Sequence, residues 1–160
     1  MGADMNKINQ LLEHLNISQV FIAGQIPTDM ISFCEENPEK VSGIGLIGTT
    51  EIDSSPFKSH GHRTIIISSN KGITHSAASN LKSDIPGVRN LELKDYEILP
   101  WTDIALDRAS ELVEGLTTFF LGLNCNETTI HKATSEGKID DIYYTIKGVG
   151  PPLVLLPFML

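Results

Sequence analysis

Few residues of this chain are able to do chemistry, and their spacing excludes most reactions. Val20-Phe21-Ile22-Ala23-Gly24-Gln25-Ile26-Pro27-Thr28 reads as an apolar strand, a tight turn and a helix start. Such a turn can lift a nucleophile to its tip. The residue there is Ile26, which has no nucleophilic atom and, being β-branched, resists positive φ. His60 and His62 have the spacing by which two imidazoles reach one metal from an extended strand. The sequence places no third ligand, so they read as an exposed loop pair and no metal is expected. Cys34 falls in the body of a helix, where a cysteine acts as a small buried hydrophobe. Ser68 and Ser69 have no evident base. Asp95, Glu97 and Asp103 suit a solvated acidic loop better than paired-carboxylate catalysis. The Gly148-x-Gly150-Pro151-Pro152 turn lacks the lysine and helix of a phosphate loop and the pattern of a dinucleotide fingerprint, so no cofactor is expected.

The elements that position these residues must come from one domain, since 160 residues suffice for one real core. A hydrophobic share of 41% and a charged share of 20% place the chain with ordinary globular proteins. The net charge of −8 argues against nucleic acid or anionic membrane, both of which select for surplus Lys and Arg. Cys34 and Cys125 match no metal or redox spacing, which suits a reduced, cytoplasmic setting. The N-terminus lacks the apolar run of a signal peptide. Val149 to Leu160 is apolar but contains three prolines and is too short to span a membrane.

Hydrophobic periodicity then predicts the elements. Met5, Ile8, Leu11, Leu12 and Leu15 mark an amphipathic helix over 4–15. A buried strand follows at 18–23, a helix at 27–37 closed by Asn37-Pro38, and a buried strand at 41–47 whose glycines imply close packing. A polar loop spans 48–62. The strand 63–68 is the strongest in the chain, and Thr74 or Ser76 is expected to cap a helix ending near Ser83. Ile85-Pro86-Gly87 is a turn before a strand at 88–93. A long helix is expected over 103–121, burying Ile104, Leu106, Ala109, Leu112, Val113, Leu116 and Phe119-Phe120. This alternation predicts an α/β fold: a partial, mainly parallel sheet flanked by helices in three layers, α/β/α. The expected division is a half domain over 1–123 and a polar linker over 124–138. Strands over 139–160 then either pair with the sheet or begin a second unit.

The order strand, sharp turn, helix, followed by Asn37-Pro38-Glu39-Lys40-Val41 and Gly43-Ile-Gly-Leu-Ile-Gly48, resembles the second half of an α/β-hydrolase domain. In that family the corresponding helix commonly ends in a His-Pro-Glu-Arg-Val-like phrase. Arg63 to Ser69 looks like the strand that delivers the catalytic acid, and 103–121 like the closing helix. The resemblance covers roughly residues 4–122. The tail, Asp141 to Gly148 and then Gly150-Pro-Pro-Leu-Val-Leu-Leu-Pro157, resembles the opening of such a domain. A piece of a longer tandem polypeptide, a degenerate frame and a circular permutation each account for this order, the first being preferred. In a permuted fold, Leu153–Leu156 would lie beside Val20–Ala23.

The resemblance implies a Ser, Asp and His triad with an oxyanion hole. The matching positions hold Ile26, Gly72 and Glu97, so all three members are missing and no catalytic residue is assigned. Trp101 with Tyr96 and Leu99 would border the former cleft. Gln25 at the turn and His75, near a strand end where ligand loops gather, complete the candidate binding set. The expected function is a catalytically inactive module with a structural, interaction or small-ligand role, the ligand being small and apolar. The alternative is a hydrolase of small esters using non-standard residues. The partner expected at the open strand edge is a second copy or another part of a longer polypeptide.

Overall fold

The protein is described here from a computed structural model, covering residues 5–25, 27–50, 53–99, 103–123, 135–139 and 142–155. The elements are α1 (Met5–His14), β1 (Val20–Gly24), α2 (Pro27–Glu36), β2 (Val41–Ile47), a 3-10 helix (Ser55–Arg63), β3 (Thr64–Ser69) and α3 (Gly72–Asp84). They continue with β4 (Arg89–Leu93), α4 (Ile104–Asp107), α5 (Ala109–Leu121), β5 (Ser135–Ile139), β6 (Ile142–Ile146) and β7 (Leu153–Leu155). Five strands form a parallel sheet in the order β4-β3-β2-β1-β7, and β5 pairs with β6 as a separate antiparallel ribbon.

Strand side chains alternate between faces, so the apolar runs of β1 and β3 supply two cores at once. On one face Val20, Ile22, Ile44, Leu46 and Ile66 meet Leu12 of α1, Phe33 of α2, Phe57 of the 3-10 helix and Leu81 of α3. On the other, Phe21, Ala23, Ile47, Ile65 and Ile67 meet Ile104 of α4 and Leu112, Leu116 and Phe120 of α5. The three-layer α/β/α arrangement follows from this double use of each strand. The glycines of β2 do what their positions imply. A β-carbon on Gly43 would stand 2.8 Å from Leu123 Cδ1, and one on Gly45 would stand 3.0 Å from Leu116 Cδ2. Their absence lets α5 settle onto the sheet, where Phe120 stacks on Phe21 with ring centroids 4.6 Å apart.

Several sequence expectations need correction. The helix expected over 103–121 is broken at Arg108, whose backbone turns to φ −131°, ψ 34°. Asp103 caps the short α4 by accepting from the Leu106 amide at 3.1 Å. The Arg108 guanidinium donates to Lys94 O and to the Glu111 carboxylate, which holds the break in place. The break resets the helical phase, so Leu112, Leu116 and Phe120 face the sheet. Leu106 and Val113, expected in the core, are 77% and 65% exposed. Ala109, expected beside them, is also exposed. Neither Thr74 nor Ser76 caps α3. That helix begins at Gly72, where φ is +70°. The polar loop over 48–62 contains the 3-10 helix, with Phe57 in the core. β5 begins within the expected linker and ends at Ile139, and the two tail strands part company: β6 joins β5, while β7 lies parallel to β1 with Ile22 opposite Val154.

Candidate functional site

In a parallel α/β sheet, ligands gather outside the carboxyl ends of the strands, where loops meet helix N-termini. Here that edge is formed by Gly24-Gln25, Gly48-Thr49, Ser69-Asn70 and Leu93, roofed by the segment Tyr96 to Leu99. Gly48, at φ +59°, ends β2, and its amide donates to Ile67 O at 2.8 Å. A β-carbon on Gly48 would lie 3.0 Å from Ile98 Cγ2 and 3.6 Å from Gln25 Nε2, so these three residues meet at one point. A β-carbon on Gly72 would lie 2.6 Å from Glu97 Oε1. Gly72 and Glu97, two of the positions that the resemblance matches to a triad, therefore lie side by side. Ile26 lies outside the described residues, as does Trp101.

The other binding candidates are placed elsewhere. Tyr96 is half-buried, donates to Asp107 Oδ2 at 2.8 Å, and carries Arg108 over its ring at 5.0 Å. Burial, reinforced by the Asp107 carboxylate accepting its proton, pushes the phenol up to about 12. Its hydroxyl thus braces the loop against the break before α5. His75 is exposed on α3 and pairs across to the edge strand, with Nδ1 3.4 Å from Glu92 Oε2. Gln25, Gly72 and Glu97 gather around the carboxyl edge; Tyr96 turns its hydroxyl to α4, and His75 points to β4.

The remaining reactive groups have local partners. Ser69 Oγ donates to Lys71 O at 2.7 Å and sits 2.5 Å from Thr74 Oγ1, while Ser68 Oγ donates to Asn90 Oδ1 at 3.3 Å. Both serines are buried, with their protons committed to oxygen acceptors rather than to an imidazole. Burial raises the Cys34 thiol to about 12, which leaves it protonated. His60 Nδ1 lies 2.6 Å from Arg63 Nη2, and among the described residues no cluster of three His, Cys, Asp or Glu could hold a metal ion.

Sequence reasoning passed over Thr49 and Asn70. Thr49 Oγ1 and Asn70 Oδ1 are, among the described residues, the buried side-chain oxygens or nitrogens without a hydrogen-bond partner. Each follows an apolar strand, and that position was the available signal. It also passed over an open groove at the opposite end of the strands, between β4 and α5, lined by Ile65, Arg89, Leu91, Glu114, Phe119 and Leu123.

Comparison of the fold with solved structures returns hydrolases. A predicted CIB-like hydrolase from Thermoplasma acidophilum matches with a TM-score of 0.58 and 16% identity, over 74% of this chain and 58% of that one. A carboxylesterase structure from Nitrososphaera gargenis matches at 0.55 and 12% identity, over 73% and 70% of the two chains. An N-acyl homoserine lactone degrading enzyme matches at 0.54 and 12% identity, over 72% and 73%. The chain thus spans little more than half the length of the Thermoplasma protein. No family model matches the sequence, and no curated protein matches it in sequence. Among the described residues no helix is long and apolar enough to cross a membrane. With its parallel sheet covered on both faces and these structural neighbours, the chain has the α/β-hydrolase fold.

Proposed function

We propose that this chain is a non-catalytic module on the α/β-hydrolase fold, acting through binding and association. The contact between Gly72 and Glu97 carries the reading. A triad needs a carboxylate that orients an imidazole, and an imidazole that takes the nucleophile's proton. Here the acid position has no side chain, and the position of the proton shuttle holds a carboxylate resting on it. The buried serines nearby offer no substitute, because their hydroxyl protons go to Lys71 O and Asn90 Oδ1. Turnover of p-nitrophenyl acetate is expected at the uncatalysed rate, and a fluorophosphonate probe is expected to label no serine. Labelling of a serine together with ester turnover would instead establish an unorthodox hydrolase. That second reading draws on the carboxylesterase and the lactone-degrading enzyme among the structural neighbours.

Association is assigned to one edge of the sheet. β4 is guarded by exposed Arg89 and Glu92, charges that discourage strand addition. β7 carries no charge, and Leu153 and Leu155 are exposed along it. The occupant of that edge is a second copy of the chain, its β7 added antiparallel across a twofold axis. Sedimentation velocity is expected to show a concentration-dependent dimer that Leu155→Lys dissociates. Leu155 is 63% exposed, so this variant leaves the core intact. A monomer at every concentration removes this part of the reading.

A further inference from the structure

We infer that the groove between β4 and α5 binds a short peptide with free termini, added to β4 as an antiparallel strand with apolar side chains at alternate positions. The groove lies away from the carboxyl edge, so the inference holds whether or not that edge is catalytic. Its volume is about 680 Å³, within the roughly 300–1,000 Å³ of small-molecule sites. Its floor is apolar, formed by Ile65, Leu91, Phe119 and Leu123. Leu91, Phe119 and Leu123 are only partly buried, at the margin of the core beneath α5. Leu91 packs over the backbone of Gly115 and leaves no room there for a β-carbon.

The walls of the groove select a peptide. Among the described strands β4 ends the sheet. Leu93 O accepts from the Asn70 amide at 3.2 Å, so the backbone of Leu93 faces β3. Alternation turns Leu91 and Arg89 the same way and points the N–H and C=O of Asn90 outward. The Asn90 side chain is held on the face opposite α5, where it accepts from Ser68 Oγ at 3.3 Å. Asn90 therefore lines the groove with its open backbone edge. Arg89 and Glu114 put opposite charges on the two walls, and among the described residues neither has a hydrogen bond or an ion pair. Glu111 and Glu92, by contrast, are held by Arg108 and His75. The two free charges are also offset along the groove. Leu91 meets Gly115, next to Glu114, and Arg89 lies two residues back along β4, about 7 Å away.

An extended tripeptide spans about 10 Å, close to that offset. Seated antiparallel, its central residue exchanges both N–H···O=C bonds with Asn90. Its first residue then lies opposite Leu91 and its third opposite Arg89. The ammonium falls on the Glu114 side and the carboxylate on the Arg89 side, where a guanidinium can hold it bidentately. The first and third side chains enter the groove, and the second points to the other face. Parallel seating would bring the ammonium to Arg89 instead. A simple monocarboxylate leaves Asn90 and Glu114 unanswered, and a single amino acid covers too little of the floor. The charges that turn other strands away from β4 thus admit this one.

The test titrates Leu-Ala-Leu into the full chain and follows amide chemical shifts, which report affinity and location together. The Asn90 amide is expected to move downfield as its N–H gains an acceptor, with Leu91 and Phe119 moving alongside. Ala-Leu-Ala, which turns its leucine to the wrong face, is expected to bind more weakly. So is N-acetyl-Leu-Ala-Leu-amide, which lacks both end charges. Arg89→Gln and Glu114→Gln are each expected to weaken Leu-Ala-Leu binding about fivefold, the scale of one exposed ion pair. Both residues are exposed, so both variants are expected to melt as the wild type does. Equal binding by the blocked peptide or by Ala-Leu-Ala overturns the inference. Binding that leaves the Asn90 amide unmoved does the same, as does no binding at all. The peptide controls use only the wild-type chain, so they decide the outcome even where a substitution disturbs folding.

Discussion

The Glu97 carboxylate lies over Gly72, so close that a β-carbon there would stand 2.6 Å from Oε1. Gly72 also holds φ at +70°, a conformation L-residues reach at a cost of about 1–2 kcal/mol. Gly72→Ala is therefore expected to destabilise the fold by about that amount in urea titrations. The exposed Glu97 side chain can swing aside, so backbone strain is the larger cause. Adding Glu97→Ala should recover only a minor share of the loss. Full recovery would mean that the contact, not the backbone, is what requires glycine.

The packing of α5 against β2 depends on a missing methyl group. Gly45→Ala is expected to cost about 1–3 kcal/mol, because its β-carbon would meet Ala23 Cβ at 2.9 Å and Leu116 Cδ2 at 3.0 Å with no exposed side to yield. Phe120→Ala, which removes the ring stacked on Phe21, is expected to cost about 3–5 kcal/mol. Equilibrium denaturation checks both. Because the two sites share a contact, their double variant should depart from additivity.

Acidification should act through His60. Burial, reinforced by the nearby Arg63 and His62 charges, holds its imidazole below the ordinary 6.5, so the folded state favours the neutral ring that accepts from Arg63. A depressed pKa contributes stability that is fully present above about pH 6.5 and lost as pH falls toward the folded value. Denaturation midpoints should decline across that window. His60→Asn, which keeps an acceptor but cannot take up a proton, should flatten the decline.

Cys34 should resist alkylation. Its thiol is buried and raised to about 12, so iodoacetamide at neutral pH is expected to leave the Cys34 peptide unmodified until denaturant is added. Peptide mapping by mass spectrometry distinguishes this from rapid native labelling, which would place the sulfur at an accessible surface.

The sheet was legible in the chain because its information is local. Val20–Gly24, Val41–Ile47 and Thr64–Ser69 are short apolar runs bounded by turns, and the Gly43 and Gly45 pair announced close packing. The errors arise where a pairing partner, near or far in sequence, overrides the local pattern. Arg108 breaks a helix that periodicity alone would continue, because its guanidinium is drawn to Lys94 O, fourteen residues earlier. Ser135–Ile139 is polar and contains glycine, yet it is a strand because Ile142–Ile146 lies alongside it. In the candidate site, Gly72 and Glu97 could be read singly, but their closeness belongs to the tertiary fold. Thr49 and Asn70 were invisible for a related reason. A polar residue after a strand looks like ordinary loop chemistry until the fold shows its oxygen buried.

The parallel seating of β7 on β1 also bears on how the protein is made. The strand that completes this side of the sheet is synthesised roughly 130 residues after the strand it covers. Until it is made, the edge of β1 that Leu153–Leu155 covers lacks this partner. A contact so distant in sequence forms slowly, since a long loop must close before any pairing is gained. Strands waiting on so late a partner are open to wrong pairing in the meantime.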